Sequence, residues 1–90
     1  MNNKYKEEIL TVFKSIKDSK SLDAFLRDIL TPNEYEEIVK RWQVVKQLSK
    51  GIPQRQIATN LKISLAKITR GSRVLLNKKG AFNQLLKNKK

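Results

Sequence analysis

Residues 54–71 read Gln-Arg-Gln-Ile-Ala-Thr-Asn-Leu-Lys-Ile-Ser-Leu-Ala-Lys-Ile-Thr-Arg-Gly, and they are the most informative stretch of the chain. A helix-turn-helix needs apolar inner faces on both helices, a small residue where the helices cross and a tight turn between them. Ala58 is the small residue, and the inner positions are supplied by Ile57, Leu61, Ile63 and Ile68. Lys62 stands in the turn where glycine is usual, and it can adopt the left-handed conformation at a cost of about 1 kcal/mol. The stretch therefore predicts a helix-turn-helix.

The second helix of this motif presents outward side chains that suit nucleic acid. Its outward side chains include small ones and both apolar and polar ones, which suit base edges: Leu65, Ala66, Thr69 and Arg73. Three further side chains of this helix are near enough to reach phosphates or a ligand: Lys67, Arg70 and Ser72. Many pairs of antiparallel helices pack similar residues, so the motif needs support from a second observation.

The distribution of charge supplies that observation. Residues 1–37 hold six basic and eight acidic side chains, whereas residues 38–90 hold fourteen basic side chains and no acidic one. Such asymmetry predicts a nearly neutral scaffold joined to a half that binds a polyanion, with duplex DNA, RNA and anionic membrane as the candidate partners. Combined with the motif, it favours DNA binding. The alternative is a solubilising lysine surface, but such a surface normally mixes both signs of charge.

Outside the motif, apolar residues recur at helical spacing, and glycine and proline residues interrupt this pattern. The chain is therefore predicted to be all-α, with about six helices. The third helix has the clearest start, because Thr31 can cap it, Pro32 fits its first turn and Glu34 stands at the capping-box spacing. Trp42 is expected in the core of that helix. The predicted helices cover residues 4–17, 21–30, 32–50, 53–61, 65–75 and 81–88.

The first two predicted helices carry more large apolar side chains than a chain of 90 residues can cover alone. Burial between two copies predicts a two-fold homodimer, and a compact six-helix monomer is the alternative. We expect a single domain over residues 1–90, with dimerisation helices in residues 1–50. The DNA-binding motif is then expected in residues 53–76 and a C-terminal helix in residues 81–88.

Composition excludes several classes of protein. With no Cys and no His, the chain has no disulfide, zinc site, thiol nucleophile or imidazole base. No apolar run approaches the roughly 18 residues of a membrane span, and no signal-peptide core follows the amino terminus. The sequence therefore predicts a cytoplasmic protein that is not an enzyme and holds no metal or cofactor.

Five segments resemble the bacterial tryptophan repressor family: Leu30-Thr31-Pro32-Asn33-Glu34, Arg41, Gly51, Gln54-Arg55 and Ile68-Thr69-Arg70-Gly71-Ser72. Their order and spacing cover about residues 22–76, and the Ile-Thr-Arg-Gly-Ser segment is the most specific of them. The resemblance implies an all-α dimer with interlocked amino-terminal helices that presents a helix-turn-helix to operator DNA. It also implies L-tryptophan as corepressor, bound between the third helix and the recognition helix.

The resemblance implies a set of corepressor-binding residues, namely Leu30, Thr31, Arg41, Arg70, Gly71 and Val74. In this interpretation the two arginines sandwich the indole ring, since guanidinium planes stack on aromatic faces, and Arg70 also meets the ligand carboxylate. Backbone carbonyls at the end of the second helix receive the ligand ammonium, and Gly71 lets the indole approach the backbone. Val74 departs from the family pattern, because the best-known members have a serine at that position.

The resemblance and the motif together imply DNA contacts by Gln54, Arg55, Leu65, Ala66, Lys67, Thr69, Ser72 and Arg73. Arg55 matches an arginine that reads guanine, a contact that suits the bidentate geometry of guanidinium. Ala58 replaces a lysine of well-known members, and the loop before Gln54 is one residue shorter. The operator sequence of other members therefore does not transfer to this chain.

Other functions remain open from the sequence. The nearest is a regulator of the same fold that senses another ligand or none, which Val74 favours. A small RNA-binding protein is favoured by Lys78-Lys79 and by the basic tail over residues 87–90, but the chain has few aromatic side chains for base stacking. A membrane-surface protein and an enzyme are weaker alternatives.

Overall fold

The computed structural model describes the backbone of residues 2–88 and the side chains of residues 2–87. Within that range the chain forms six helices and no strand, which confirms the predicted all-α class. The helices are α1 (Asn3–Ser15), α2 (Ser19–Ile29), α3 (Pro32–Ser49), α4 (Gln54–Leu61), α5 (Leu65–Leu75) and α6 (Ala81–Asn88). Positions 1, 89 and 90 of the predicted domain and basic tail lie outside the described residues.

The helices form two compact units, which divide between Tyr35 and Glu36. The first unit contains α1, α2 and the start of α3, and the second contains the remainder of α3 with α4, α5 and α6. Over the described residues, no helix combines the length and the apolar character that a membrane crossing needs.

Capping side chains set the helix starts in the first unit. Asp18 caps α2, because its carboxylate accepts a hydrogen bond from the backbone N–H of Ser21 at 2.9 Å. The predicted start of this helix at Ser21 is wrong by two residues, since the aspartate upstream provides the cap and α2 begins at Ser19. At the start of α3, Thr31 Oγ1 accepts from the N–H of Glu34 at 3.2 Å, and Glu34 Oε1 accepts from the N–H of Thr31 at 2.8 Å. The predicted capping box is confirmed.

Packing in the first unit rests on a few side chains of α1, α2 and the start of α3. Phe13 and Phe25 meet edge to face, with ring centroids 5.2 Å apart. The hydroxyl of Tyr35 donates to Asp23 at 2.8 Å. No residue of α1 or α2 is fully buried, and the unit exposes the large apolar side chains of Tyr5, Leu10, Val12, Phe13 and Ile29.

The second unit holds the core of the described chain. Val44 of α3, Ile57 of α4 and Ile68 of α5 form one buried cluster. Partly buried side chains pack against it, namely Leu48, Ile52, Ala58, Leu61 and Ile63. The inner positions predicted for the helix-turn-helix therefore face this core, as an amphipathic helix pair requires.

The turn of the motif has the predicted left-handed residue. Lys62 follows α4 with φ 55° and ψ 48°, and the N–H of Ile63 donates to the carbonyl of Ala58 at 3.2 Å. Ser64 then caps α5 by accepting from the N–H of Lys67 at 3.4 Å. These contacts direct the chain from α4 into α5.

Within the second unit, helix α6 packs back against α5 and α3. Trp42, which was predicted in the core, is half-buried, and its ring centroid lies 6.0 Å from that of Phe82. The Asn83 side-chain amide donates to the carbonyls of Leu75 at 2.9 Å and Asn77 at 2.8 Å. These contacts place an aromatic ring beside α3.

Candidate functional site

A cavity of about 340 Å³ lies in the second unit between α3 and α5. The residues that line it belong to α3 and α5, together with Ile63 before α5 and Phe82 of α6. The lining residues are Glu37, Lys40, Arg41, Val44, Ile63, Lys67, Arg70, Gly71, Val74 and Phe82. This volume falls within the range of sites that hold small organic ligands.

The cavity combines apolar walls with an excess of positive charge. Its polar lining contains four cations, Lys40, Arg41, Lys67 and Arg70, and one anion, Glu37. The apolar walls are Val44, Ile63, Val74 and Phe82. Such a site favours a small ligand that has both an apolar or aromatic body and a carboxylate.

One ion pair crosses the cavity from helix to helix. Lys67 Nζ of α5 donates to Glu37 Oε1 of α3 at 2.6 Å. Arg41 Nη2 lies 3.4 Å from the other carboxylate oxygen, Oε2. The hydrogen bond and charge of Lys67 lower the pKa of Glu37 below its ordinary value.

Gly71 allows the two helices of the cavity to approach each other. It is buried in α5, and a Cβ atom at this position would lie 2.9 Å from Cγ1 of Val44 and 3.6 Å from Cγ1 of Val45. The missing side chain thus serves helix packing as well as the cavity wall, to which Gly71 also contributes.

The structure brings together four of the six residues predicted to bind a corepressor. Arg41, Arg70, Gly71 and Val74 all line the cavity. Leu30 and Thr31 belong to the first unit. There Leu30 ends α2, with its N–H bonded to the carbonyl of Leu26 at 2.9 Å, and Thr31 caps α3.

Several lining residues were missed by the sequence reasoning, namely Glu37, Lys40, Val44, Ile63 and Phe82. Glu37 stands four residues before Arg41, which is a recognisable helical pairing, so a local signal for it existed. No local signal places Phe82 beside α3, since α6 follows it by more than thirty residues. Lys67 was predicted to contact DNA or a ligand. In the structure it lines the cavity, and its ammonium group donates to the carboxylate of Glu37.

A family model described as "Trp repressor protein" matches residues 5–90. The chain belongs to the Trp repressor protein family. The match covers the helix-turn-helix, the cavity and most of the first unit, so the predicted resemblance is confirmed over almost the whole sequence.

Curated relatives in this family carry the name Trp operon repressor homolog. The protein of Vibrio vulnificus (strain YJ016) is 38% identical over 89 residues, which are 93% of this chain and 87% of the relative. That of Actinobacillus succinogenes is 43% identical over 74 residues, 81% of this chain and 69% of the relative. That of Haemophilus influenzae (strain PittEE) is 37% identical over 79 residues, 87% of this chain and 78% of the relative. No solved structure gives a significant match to the chain.

Membership in the Trp repressor protein family establishes the general activity. The family consists of DNA-binding transcriptional regulators, so this chain is a DNA-binding repressor and not an enzyme. A small-molecule ligand agrees with the same family.

The side chains predicted to meet DNA lie mostly on the open surface of the family's helix-turn-helix. Gln54 and Arg55 are exposed in the first turn of α4. On α5 the exposed members are Leu65, Ala66, Lys67, Thr69 and Arg73, and Ser72 is half-buried. The Thr69 hydroxyl donates to the carbonyl of Leu65 at 3.0 Å, which leaves its methyl group and its oxygen lone pairs for a partner.

Proposed function

We propose that this chain is a corepressor-gated transcriptional repressor, which binds operator DNA as a homodimer when L-tryptophan occupies the cavity between α3 and α5. The genes it controls are then those of tryptophan biosynthesis or transport, and it acts in the cytoplasm, where bacterial DNA lies. The observation that carries the proposal is the pair Arg41 and Arg70 in the wall of one cavity with apolar sides.

The chemistry of the cavity suits an aromatic amino acid. Guanidinium groups stack on aromatic faces and pair with carboxylates, and the cavity provides two of them. Val44, Val74 and Phe82 supply apolar surface for an indole. We further propose that the backbone carbonyls of Leu30 and Thr31 take part in holding the ligand ammonium, as the family resemblance implies.

The position of the cavity explains how the ligand could control DNA binding. α5 is the recognition helix of the motif, and its inner face forms one wall of the cavity. A ligand that fills the space fixes the angle between α3 and α5, and hence the position of the residues that meet base edges. Linkage requires DNA to tighten ligand binding by the same factor.

The first unit supports the homodimer. It leaves Tyr5, Leu10, Val12, Phe13 and Ile29 exposed. A second copy buries this apolar surface, and two recognition helices then meet successive major grooves about 34 Å apart. We propose residues 1–50 as the dimerisation segment, residues 53–76 as the DNA-binding motif and residues 81–88 as a C-terminal helix of one functional domain.

One observation favours a second candidate, a regulator with a different carboxylate ligand. Val74 lines the cavity and has no hydrogen-bonding group to offer a ligand ammonium. An aromatic or branched acid that lacks the ammonium fits the same cations and apolar walls.

Calorimetric titration of the full chain with L-tryptophan tests the proposal, with L-phenylalanine as the comparison ligand. We expect saturable binding of one L-tryptophan per chain and weaker binding of L-phenylalanine. Arg70→Ala should weaken L-tryptophan binding by about tenfold or more, because it removes a charged hydrogen-bond donor. Arg27→Ala, which removes an exposed arginine of the first unit, should leave the affinity unchanged. Absence of heat at millimolar L-tryptophan from folded protein would overturn the tryptophan proposal.

A further inference from the structure

The last helix of the chain, α6, contributes an aromatic side chain to the wall of the cavity. Phe82 is the second residue of α6, and it lines the cavity together with side chains of α3 and α5. Its ring is half-buried, and the ring centroid lies 6.0 Å from that of Trp42 on α3. Phe82 therefore packs beside α3 and keeps part of its surface open to the cavity.

A side-chain amide fastens α6 to the end of α5. Asn83 Nδ2 donates to the carbonyl of Leu75 at 2.9 Å and to the carbonyl of Asn77 at 2.8 Å. Leu75 is the last residue of α5, and carbonyls in the last turn of a helix have no partner within that helix. Both amide hydrogens of Asn83 are used in these bonds. Because Asn83 directly follows Phe82, the two bonds also hold the Phe82 ring in place.

The proposed aromatic ligand leaves a surface that Phe82 is placed to cover. If Arg41 and Arg70 take the two faces of the indole, only the edge of the indole ring remains for the apolar walls. Among the aromatic side chains that the structure describes, only Phe82 lines the cavity. Aromatic rings pack favourably when the edge of one ring meets another ring.

We propose that α6 closes one side of the ligand cavity, with Phe82 covering the edge of the bound aromatic ring and Asn83 as the positioning residue that holds Phe82 there. The inference rests on the proposed function, since it assigns two residues outside the helix-turn-helix to the same ligand. The ammonium and carboxylate of the ligand keep the partners named above. Ligand binding and the docking of α6 then stabilise each other.

The role of Phe82 is tested by calorimetric titration of the full chain with L-tryptophan and with indole-3-propionate, two ligands that share the indole ring. Phe82→Ala should weaken the binding of both by about fivefold or more, because an apolar contact common to both is lost. Leu85→Ala is the matched control, since it removes an exposed apolar side chain of the same helix that does not line the cavity. It should leave both affinities unchanged.

A second variant separates the loss of the ring from the loss of the fold. Phe82→Leu keeps an apolar side chain beside Trp42 but lacks the aromatic ring, and it should weaken both ligands by about two- to threefold. Circular dichroism shows whether each variant keeps its helices. If the folded Phe82 variants bind both ligands as tightly as Leu85→Ala does, the inference is wrong.

The role of Asn83 is tested by combining substitutions. Asn83→Ala should weaken L-tryptophan binding about threefold in the unmodified chain and should cause no further loss in a Phe82→Ala background, because Asn83 acts through Phe82. Gln84→Ala, which removes an exposed amide one position further along α6, should have no effect in either background. Equal losses from Asn83→Ala in both backgrounds would overturn Asn83 as a positioning residue.

The two ligands separate this inference from the proposed function. If L-tryptophan binds and the Phe82 variants keep the original affinity, the inference is wrong and the proposed function stands. If only indole-3-propionate binds and Phe82→Ala weakens it, the tryptophan proposal is overturned and the inference stands. If neither ligand binds to folded protein, both are overturned.

Discussion

Gly71 of α5 lies so close to Val44 of α3 that a Cβ atom on Gly71 would stand 2.9 Å from Cγ1 of Val44. Val44 is only 3% exposed and belongs to the buried cluster with Ile57 and Ile68. Its branched side chain has one preferred rotamer in a helix and little freedom to move. The distance between the two helices that form the cavity is therefore set by the absence of a side chain at position 71.

The first prediction follows from this contact. Gly71→Ala should lower the free energy of unfolding by about 1 kcal/mol, because the overpacking cost of 1–3 kcal/mol exceeds the gain of about 1 kcal/mol in helix propensity. Urea denaturation at a fixed protein concentration measures the change. In a Val44→Ala background, where the space is open, the same substitution should be stabilising. If Gly71→Ala is instead more stable than the unmodified chain, Val44 moves aside at little energetic cost and the prediction is wrong.

The second prediction concerns the turn of the motif. Lys62 has φ 55°, a conformation that costs a side chain about 1 kcal/mol and costs glycine little. Lys62→Gly should raise the free energy of unfolding by roughly 0.5–1 kcal/mol and raise Tm by a few degrees. Lys62→Ala is the control, since it removes the same charge but keeps a Cβ atom. A Tm for Lys62→Gly no higher than that of Lys62→Ala would contradict a strained turn.

The third prediction concerns acid stability of the first unit. Asp23 accepts a hydrogen bond from the Tyr35 hydroxyl at 2.8 Å and another from Arg27 Nε at 3.0 Å, and these bonds lower its pKa below the ordinary 3.8. A lowered pKa in the folded state adds stability above the ordinary pKa, and this stability is lost as the pH falls through the lowered value. The window is therefore below about pH 4.

Thermal unfolding measured from pH 6 to pH 2 checks this window. As the pH falls below about 4, the Tm of Asp23→Asn should decrease less than the Tm of the unmodified chain, because the titrating group is removed. Asp28→Asn, a change at an exposed position of the same helix, serves as the control. An equal decrease in Tm for Asp23→Asn and the unmodified chain would mean that the hydrogen bond from Tyr35 adds no acid-sensitive stability.

Local chemistry explains what could be predicted from the sequence. The Thr31–Glu34 capping box and the left-handed Lys62 depend on neighbours within a few residues, so spacing alone indicated both. The start of α2 was misplaced because Ser21 and Asp18 can both cap, and only the folded backbone shows which side chain accepts the bond.

Tertiary contacts explain what could not be predicted. The pairing of Lys67 with Glu37 joins residues thirty positions apart, and Phe82 reaches the cavity only because α6 folds back. No periodicity within one helix contains such information. The predicted corepressor set consequently included the arginines and Gly71, which the resemblance supplied, and omitted the carboxylate and the aromatic ring.

The fourth prediction concerns the partner of the basic half, which has fourteen basic and no acidic side chains over residues 38–90. Binding to duplex DNA should weaken steeply with salt, with a slope of about −3 or steeper in a plot of log affinity against log salt, because each phosphate contact contributes about −0.9. Anisotropy titrations from low to physiological salt measure the slope, with a structured RNA of equal length as competitor. A slope near zero, or preference for the RNA, would contradict duplex DNA as the partner.

The central claim is that ligand in the α3–α5 cavity controls DNA affinity. Its most direct test is the dissociation constant of the full chain for a duplex selected from a random pool, measured with and without saturating L-tryptophan. We predict at least about fivefold tighter binding with ligand, the lower end of ordinary allosteric coupling, and loss of this effect in Arg70→Ala. Equal affinity with and without L-tryptophan, from protein that binds the ligand, would contradict the claim.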